Sequence, residues 1–199
     1  MKSDFDIMTQ YSMNYRNIKG LLSALVLVAG LSQGTEILGG EQSDYYRTDT
    51  IPVPEGIVLE AGALQWLGDN QMAVSTRLGE IYIVDNALAE NPSDTTFHLF
   101  ASGLHEVLGL AKKDDWIYCV QRCELTRMKD LDPDGRADVF ETVNDDWGIT
   151  GDYHEYAFSS KFDRDGNIWI VLCLTGSFTS EIDYRGWCLR VTPEGQMIP

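Results

Sequence analysis

The densest run of chemistry-bearing residues is Asp130-Leu131-Asp132-Pro133-Asp134-Gly135-Arg136-Ala137-Asp138-Val139-Phe140-Glu141. Asp130, Asp132 and Asp134 stand at positions 1, 3 and 5 of a twelve-residue calcium loop, with Gly135 at the sharp turn of position 6. Arg136 offers a backbone carbonyl at position 7, Asp138 an oxygen at position 9 and Glu141 a two-oxygen carboxylate at position 12. Ca²⁺ takes six to eight oxygens and offsets the repulsion among crowded carboxylates, so the spacing predicts a calcium site at these six residues. The flanks do not have the periodicity of EF-hand helices. Leu125-Thr126-Arg127-Met128 and Val139 to Val143 alternate as extended chain, which could turn Glu141 away from the ion. Pro133 also biases Asp132 toward extended backbone. The competing reading is a solvated Asp/Gly turn that binds nothing.

The remaining candidates are histidines. His98 sits among Phe97, Leu99 and Phe100 and reads as a strand residue. His105-Glu106 and His154-Glu155 each stand just ahead of an apolar strand, and a His beside a Glu suits a general base or a pair of metal ligands. The alternative for both is a loop histidine with ordinary hydrogen bonds. Asp163-Arg164-Asp165-Gly166 resembles half a calcium loop without its later carboxylates and reads as a hairpin turn. The chain contains no Gly-x-Ser-x-Gly, phosphate loop, dinucleotide glycine motif or His-Glu-x-x-His.

Short β-branched and aromatic runs separated by Asp/Gly/Asn turns must position these residues, and such runs are hairpin signals. The series starts near residue 63, restarts near 109 and again near 157. Each unit has an aromatic-rich apolar segment expected as its second strand: Ile81-Tyr82-Ile83, Trp116-Ile117-Tyr118 and Ile168-Trp169-Ile170. A period of 46 to 48 residues with about four strands per unit predicts an all-β chain of propeller blades, about three of them in residues 55–199. A β-sandwich with coincidental spacing is the alternative. Three blades do not close a ring, so the expectation is a propeller incomplete at its C-terminus.

Residues 1–34 read as a signal peptide: Arg16 and Lys19 precede an apolar run from Leu21 to Leu31, with the start at Met1 or Met13. The run is short for a membrane span. The chain is therefore expected to be exported to a periplasmic or extracellular location, with no stable membrane span after signal removal. Residues 35–54 form a polar lead-in with Pro52 and Pro54. A net charge of −16 argues against nucleic acid or an anionic membrane as partner. Cys119, Cys123, Cys173 and Cys188 allow three disulfide pairings or stand as free thiols, and their spacing lacks the second half of a zinc site.

From Glu55 to Glu194 the chain resembles the sugar dehydrogenase propellers of the glucose/sorbosone dehydrogenase superfamily. It is most similar to the large exported proteins known as membrane-bound dehydrogenases in planctomycete-like bacteria. The resemblance is carried by Gly103-Leu104-His105-Glu106-Val107-Leu108-Gly109-Leu110, by Glu124-Leu125-Thr126-Arg127 running into the acidic loop, and by Phe162-Asp163-Arg164-Asp165-Gly166-Asn167-Ile168-Trp169. It implies a six-bladed propeller when complete, with calcium and pyrroloquinoline quinone (PQQ) as cofactors and a sugar as substrate. It also implies that His154, upstream of Asp165-Gly166, is the catalytic base that takes a sugar hydroxyl proton while hydride passes to the quinone. The chain departs from that pattern after the histidine, where Ala157-Phe158 replace a Gly-Arg pair. The other reading is a non-catalytic, calcium-stabilised module that binds carbohydrate or protein.

Overall fold

The computed structural model describes residues 41–174 and 182–199. The signal-peptide reading of residues 1–34 and the start of the lead-in segment lie outside the described residues. The chain divides into two compact units, Met1–Thr48 and Asp49–Pro199. In the first, the described residues include one 3-10 turn, Gln42–Asp44.

The second unit is built from strands. Sheet 1 comprises β1 (Ala61–Gly68), β2 (Gln71–Thr76), β3 (Ile81–Asp85) and β4 (Thr96–Ala101). Sheet 2 comprises β5 (Gly109–Lys113), β6 (Trp116–Val120), β7 (Leu125–Lys129) and β8 (Val139–Asn144). Sheet 3 comprises β9 (Ala157–Phe162), β10 (Ile168–Leu172), β11 (Cys188–Val191) and β12 (Met197–Ile198). Each sheet is an antiparallel meander in sequence order, and no α-helix occurs among the described residues. The first strands begin at residues 61, 109 and 157, an even 48-residue period. β5 contacts β1 on one side and β9 on the other, so the sheets stack through their first strands in a propeller-like, blade-by-blade arrangement.

Turn chemistry sets the hairpins where Asp, Asn and Gly supply left-handed backbone: Asp69 and Asn70 after β1, Asp114 after β5, Gly166 after β9. In the last of these, Asp163 Oδ1 accepts from the backbone amides of Asp165 and Asn167, while Oδ2 accepts from the Asn167 side chain and the Trp169 indole. These bonds hold the Asp163 carboxyl at about 2, with the Asn167 contact the largest cause.

The core consists of two layers between sheets. Ala73, Ile81, Ile83 and Phe100 meet Leu110, Ile117, Cys119 and Met128 between sheets 1 and 2. Tyr118, Val120 and Leu125 meet Ile168, Ile170, Leu172, Leu189 and Val191 between sheets 2 and 3. Sheet 2 is therefore covered on both faces, which is why β6 is apolar at every position. Among the described residues, sheet 3 is covered on one face. Ile168, Ile170 and Leu172 are buried, whereas Trp169 and Val171, one residue out of phase, remain 39% and 42% exposed. The sheets approach backbone to backbone at glycines, among them Gly62 and Gly109. A Cβ on Gly62 would lie 2.1 Å from the Val107 carbonyl oxygen, and one on Gly109 would lie 2.4 Å from that of Ser159.

One expectation is corrected. Ile81-Tyr82-Ile83 belongs to the third strand of sheet 1, not its second, whereas Trp116-Ile117-Tyr118 and Ile168-Trp169-Ile170 do lie in second strands. β3 is buried at Ile81, Tyr82, Ile83 and Val84, so its apolar run reflects cover on both faces rather than its place in the meander.

Candidate functional site

The acidic residues form the hairpin loop between β7 and β8. Asp138 and Asp130 close it: Asp138 Oδ2 accepts from the amides of Leu131 (2.6 Å) and Asp132 (3.3 Å), and Asp130 Oδ2 accepts from the amide of Gly135 (2.9 Å). Gly135 supplies the left-handed turn between them, at φ +85°. Carboxylate oxygens of Asp130, Asp132 and Asp138 converge within 4.8 Å of one another. Crowding by Asp138, then Asp134, pushes the Asp132 carboxyl above its ordinary value. Asp130 Oδ1 is buried and has no hydrogen-bond partner.

The other expected ligands are placed differently. Asp134 turns its Oδ1 to the Arg136 amide at 2.8 Å, and Arg136 enters the hydrogen-bonding of the loop through that amide. Glu141 lies on β8 directly opposite Arg127 and takes two bonds from its guanidinium, at 2.8 and 2.6 Å. The strand register thus pairs it with arginine, outside the three-aspartate cluster.

The same loop touches sheet 1. The Ala137 amide donates to the Phe100 carbonyl on β4 at 2.9 Å, and Ala137 packs against the core between sheets 1 and 2. Gly135 lies beside the His98 ring, and His98 itself pairs with Asp85 at 3.1 Å. The loop is a clasp from sheet 2 onto the outer strand of sheet 1. Beneath it a cleft of about 380 Å³ is lined by His98, Lys112, Asp114, Asp115 and Asp130.

His105 and His154 lie at the opposite end of the strands, where each sheet's first strand begins. The His105 amide donates to Gln121 Oε1 at 2.6 Å. His154 is exposed, its ring edge-on to Tyr153 at 4.6 Å and its amide 3.4 Å from Asp152 Oδ1. Nearby, the Arg122 guanidinium lies over the Tyr156 ring at 5.0 Å.

This end also holds a repeat of paired charges. Each sheet carries a glutamate just before its first strand and an arginine in the connection between its second and third strands. Glu60 pairs with Arg77 at 2.7 Å and Glu106 with Arg122 at 3.0 Å. Glu155 is fully buried and accepts from the Thr150 amide and hydroxyl and the Gly151 amide. Its counterpart, Arg185, donates to the carbonyls of Gly148 (2.6 Å) and Tyr156 (3.2 Å). Burial lowers the Arg185 pKa, and the Glu155 charge opposes that shift. The chain of charges crosses both seams, since Arg77 reaches Glu106 at 3.7 Å and Arg122 reaches the Asp152 carbonyl at 2.8 Å. The near-48-residue spacing of Glu60, Glu106 and Glu155 was the available signal.

All four cysteines carry free thiols, and burial drives the Cys119 thiol pKa strongly upward. No helix among the described residues is long and apolar enough to cross a membrane.

No protein-family profile matches this chain, and no curated protein matches it. Among solved structures it is similar to one from Thermus thermophilus, described as a "putative oxidoreductase (glucose dehydrogenase)". The two are 20% identical with a TM-score of 0.55, over 70% of this chain and 45% of that one. The chain therefore spans less than half the length of that neighbour.

Proposed function

We propose that this chain is the calcium-stabilised portion of an exported, dehydrogenase-like β-propeller, six-bladed when complete. Its acidic loop holds Ca²⁺ and locks sheet 2 onto sheet 1. The carrying observation is the convergence of Asp130, Asp132 and Asp138 in a loop that also bonds to β4. The donor set fits a hard cation: three carboxylates meet, one has a raised pKa through repulsion, and one presents a buried oxygen without a hydrogen-bond donor. Asp134, Arg136 and Glu141 complete the twelve-residue pattern in sequence, with Asp134 beside the cluster and Glu141 committed to Arg127. The half-exposed Trp169 and Val171 support a further blade on sheet 3, because the corresponding sheet 2 residues, Tyr118 and Val120, are buried under sheet 3.

The test is thermal melting in calcium and in chelator. Binding at one hundred times Kd adds about 2.7 kcal/mol. For a unit of this size that raises the midpoint by about 5 to 11 °C. A midpoint unmoved by chelator removes the metal from the proposal.

A catalytic reading is favoured by one observation, the exposed His154 beside the Glu106–Arg122–Tyr156 cluster. PQQ, when bound to the whole protein, would supply the hydride acceptor. This chain's own contribution would be the His154 imidazole, which takes the hydroxyl proton of an aldose. Dye reduction by the full-length protein with PQQ, calcium and a panel of aldoses tests this. Activity unchanged in His154→Ala counts against His154 as the base, and inactivity with every aldose favours the non-catalytic carbohydrate- or protein-binding module.

A further inference from the structure

At the end of the strands that carries the acidic loop, the two seams between sheets open as two separate clefts. The cleft between sheets 1 and 2 mixes His98 and Lys112 with Asp114, Asp115 and Asp130. The seam between sheets 2 and 3 opens as a cleft of about 220 Å³ whose walls include the rings of Trp116, Tyr118 and Phe162. Its floor is apolar, formed by Ile168 and Val191, both buried in the core layer. Tyr118 and Phe162 meet edge to face at 5.0 Å, which fixes two of the three rings relative to each other.

Two cations line this cleft, and they are not equivalent. Arg127 is neutralised: it makes two bonds to Glu141, bonds the Tyr118 hydroxyl and lies 4.4 Å from the Trp116 ring. Lys113, at the end of β5, is not neutralised. Its ammonium lies 5.2 Å from the Phe162 ring centroid, and no carboxylate pairs with it among the described residues. Asp114 follows it in the turn and lines the mouth, but left-handed backbone at φ +54° takes it out of the strand, and it makes no ion pair with Lys113. In a chain of net charge −16, an ammonium held against an aromatic wall without a counter-ion is an unusual resource.

We propose that this cleft binds a small aromatic carboxylate, its ring among Trp116, Tyr118 and Phe162 and its carboxylate on the Lys113 ammonium. Flat rings offer stacking and edge contacts to a flat ligand, and the free ammonium selects for an anion. The volume suits a single ring with one acidic group. This site is at the far end of the strands from His154 and is independent of the calcium and dehydrogenase readings.

Benzoate is the probe, with benzyl alcohol as its neutral counterpart, followed through the Trp116 indole resonance (assigned with Trp116→Phe) in NMR titrations of the folded chain. The expected result is a saturable shift with a dissociation constant on the order of 1 mM for benzoate and about tenfold weaker binding of benzyl alcohol. Lys113→Met should weaken benzoate about tenfold and leave benzyl alcohol unchanged. Lys112→Met, whose ammonium bonds the Leu67 carbonyl at the other seam, should change neither and so controls for net charge. Val143→Phe, on the outer strand, fills the cleft without touching the cation and should abolish both responses. The absence of a saturable Trp116 shift, or benzoate binding as tight in Lys113→Met as in the unaltered chain, overturns the proposal. So does a benzoate response that survives Val143→Phe.

Discussion

The three glutamates at the strand-start end offer the same substitution at three depths, and the energetics should follow depth. Glu60 and Arg77 have side chains 44% and 50% exposed, whereas Glu106 and Arg122 are 17% and 13% exposed and Glu155 is fully buried. Exposed ion pairs contribute about 0–1 kcal/mol, so Glu60→Ala should cost no more than that. Glu155→Ala removes the acceptor for two backbone amides and a hydroxyl and leaves the Arg185 guanidinium without its nearby carboxylate. An unsatisfied buried donor costs about 1–3 kcal/mol and a broken buried charge pair about 3–5 kcal/mol. We therefore expect about 3–5 kcal/mol for Glu155→Ala, an intermediate value for Glu106→Ala, and for Glu155→Gln a smaller loss than for Glu155→Ala. Urea denaturation followed by tryptophan fluorescence reads the three midpoints directly. At about 2–4 °C per kcal/mol, Glu155→Ala should melt about 6–20 °C lower. If Glu155→Ala costs no more than Glu60→Ala, the buried carboxylate is not holding the strand-start segment.

Further expectations concern other parts of the fold. The Asp163 carboxyl is depressed to about 2 by its hydrogen bonds, so its contribution is complete above the ordinary carboxylate range, around pH 4. That contribution should disappear as pH falls toward 2, and Asp163→Asn should flatten this part of the stability–pH curve. Asp132 has the opposite sign, because its raised pKa makes the folded chain less stable as pH rises through the carboxylate range. In chelator, Asp132→Asn should therefore match or exceed the parent's melting midpoint while losing the midpoint gain on calcium addition; a parent-sized gain would exclude Asp132 as a ligand. Gly109→Ala, which brings a Cβ to 2.4 Å from the Ser159 carbonyl oxygen, should force the seam apart and cost about 1–3 kcal/mol in chemical denaturation.

The hairpin skeleton was legible because its signals are local. Asp163 to Asn167 and Lys113 to Asp115 are turn sequences flanked by apolar strands, and the restarts predicted near 63, 109 and 157 fall on first strands beginning at 61, 109 and 157. Strand rank within a sheet was less legible. An apolar run does not report strand rank: β3 and β6 are buried on both faces, β10 is as apolar yet leaves Trp169 and Val171 half-exposed, and cover depends on neighbours far along the chain. The acidic loop was visible as a composition, but the geometry of Glu141 was not. Its alternation left two faces open, and only the β7–β8 register put it opposite Arg127. The glutamate–arginine pairs were hidden for a related reason. Their glutamates recur at a steady interval, but the arginines do not: Arg77 and Arg122 sit in short connections of equal length, residues 77–80 and 121–124, whereas Arg185 sits in the much longer connection 173–187.

The meander order of the sheets bears on how the chain assembles. Among the described residues every hydrogen-bonded strand neighbour is also the neighbour in sequence, so these ladders pair only with adjacent segments. Loop-closure entropy is then small within each sheet, and pairing can proceed in the order in which the chain is synthesised. The contacts between sheets are long-range by comparison: Ile81, Ile83 and Phe100 of sheet 1 pack on Leu110, Ile117 and Met128 of sheet 2. Each seam therefore joins two sheets whose own ladders are already locally complete, so a mutation at a seam should loosen sheet-to-sheet docking before it disturbs strand pairing.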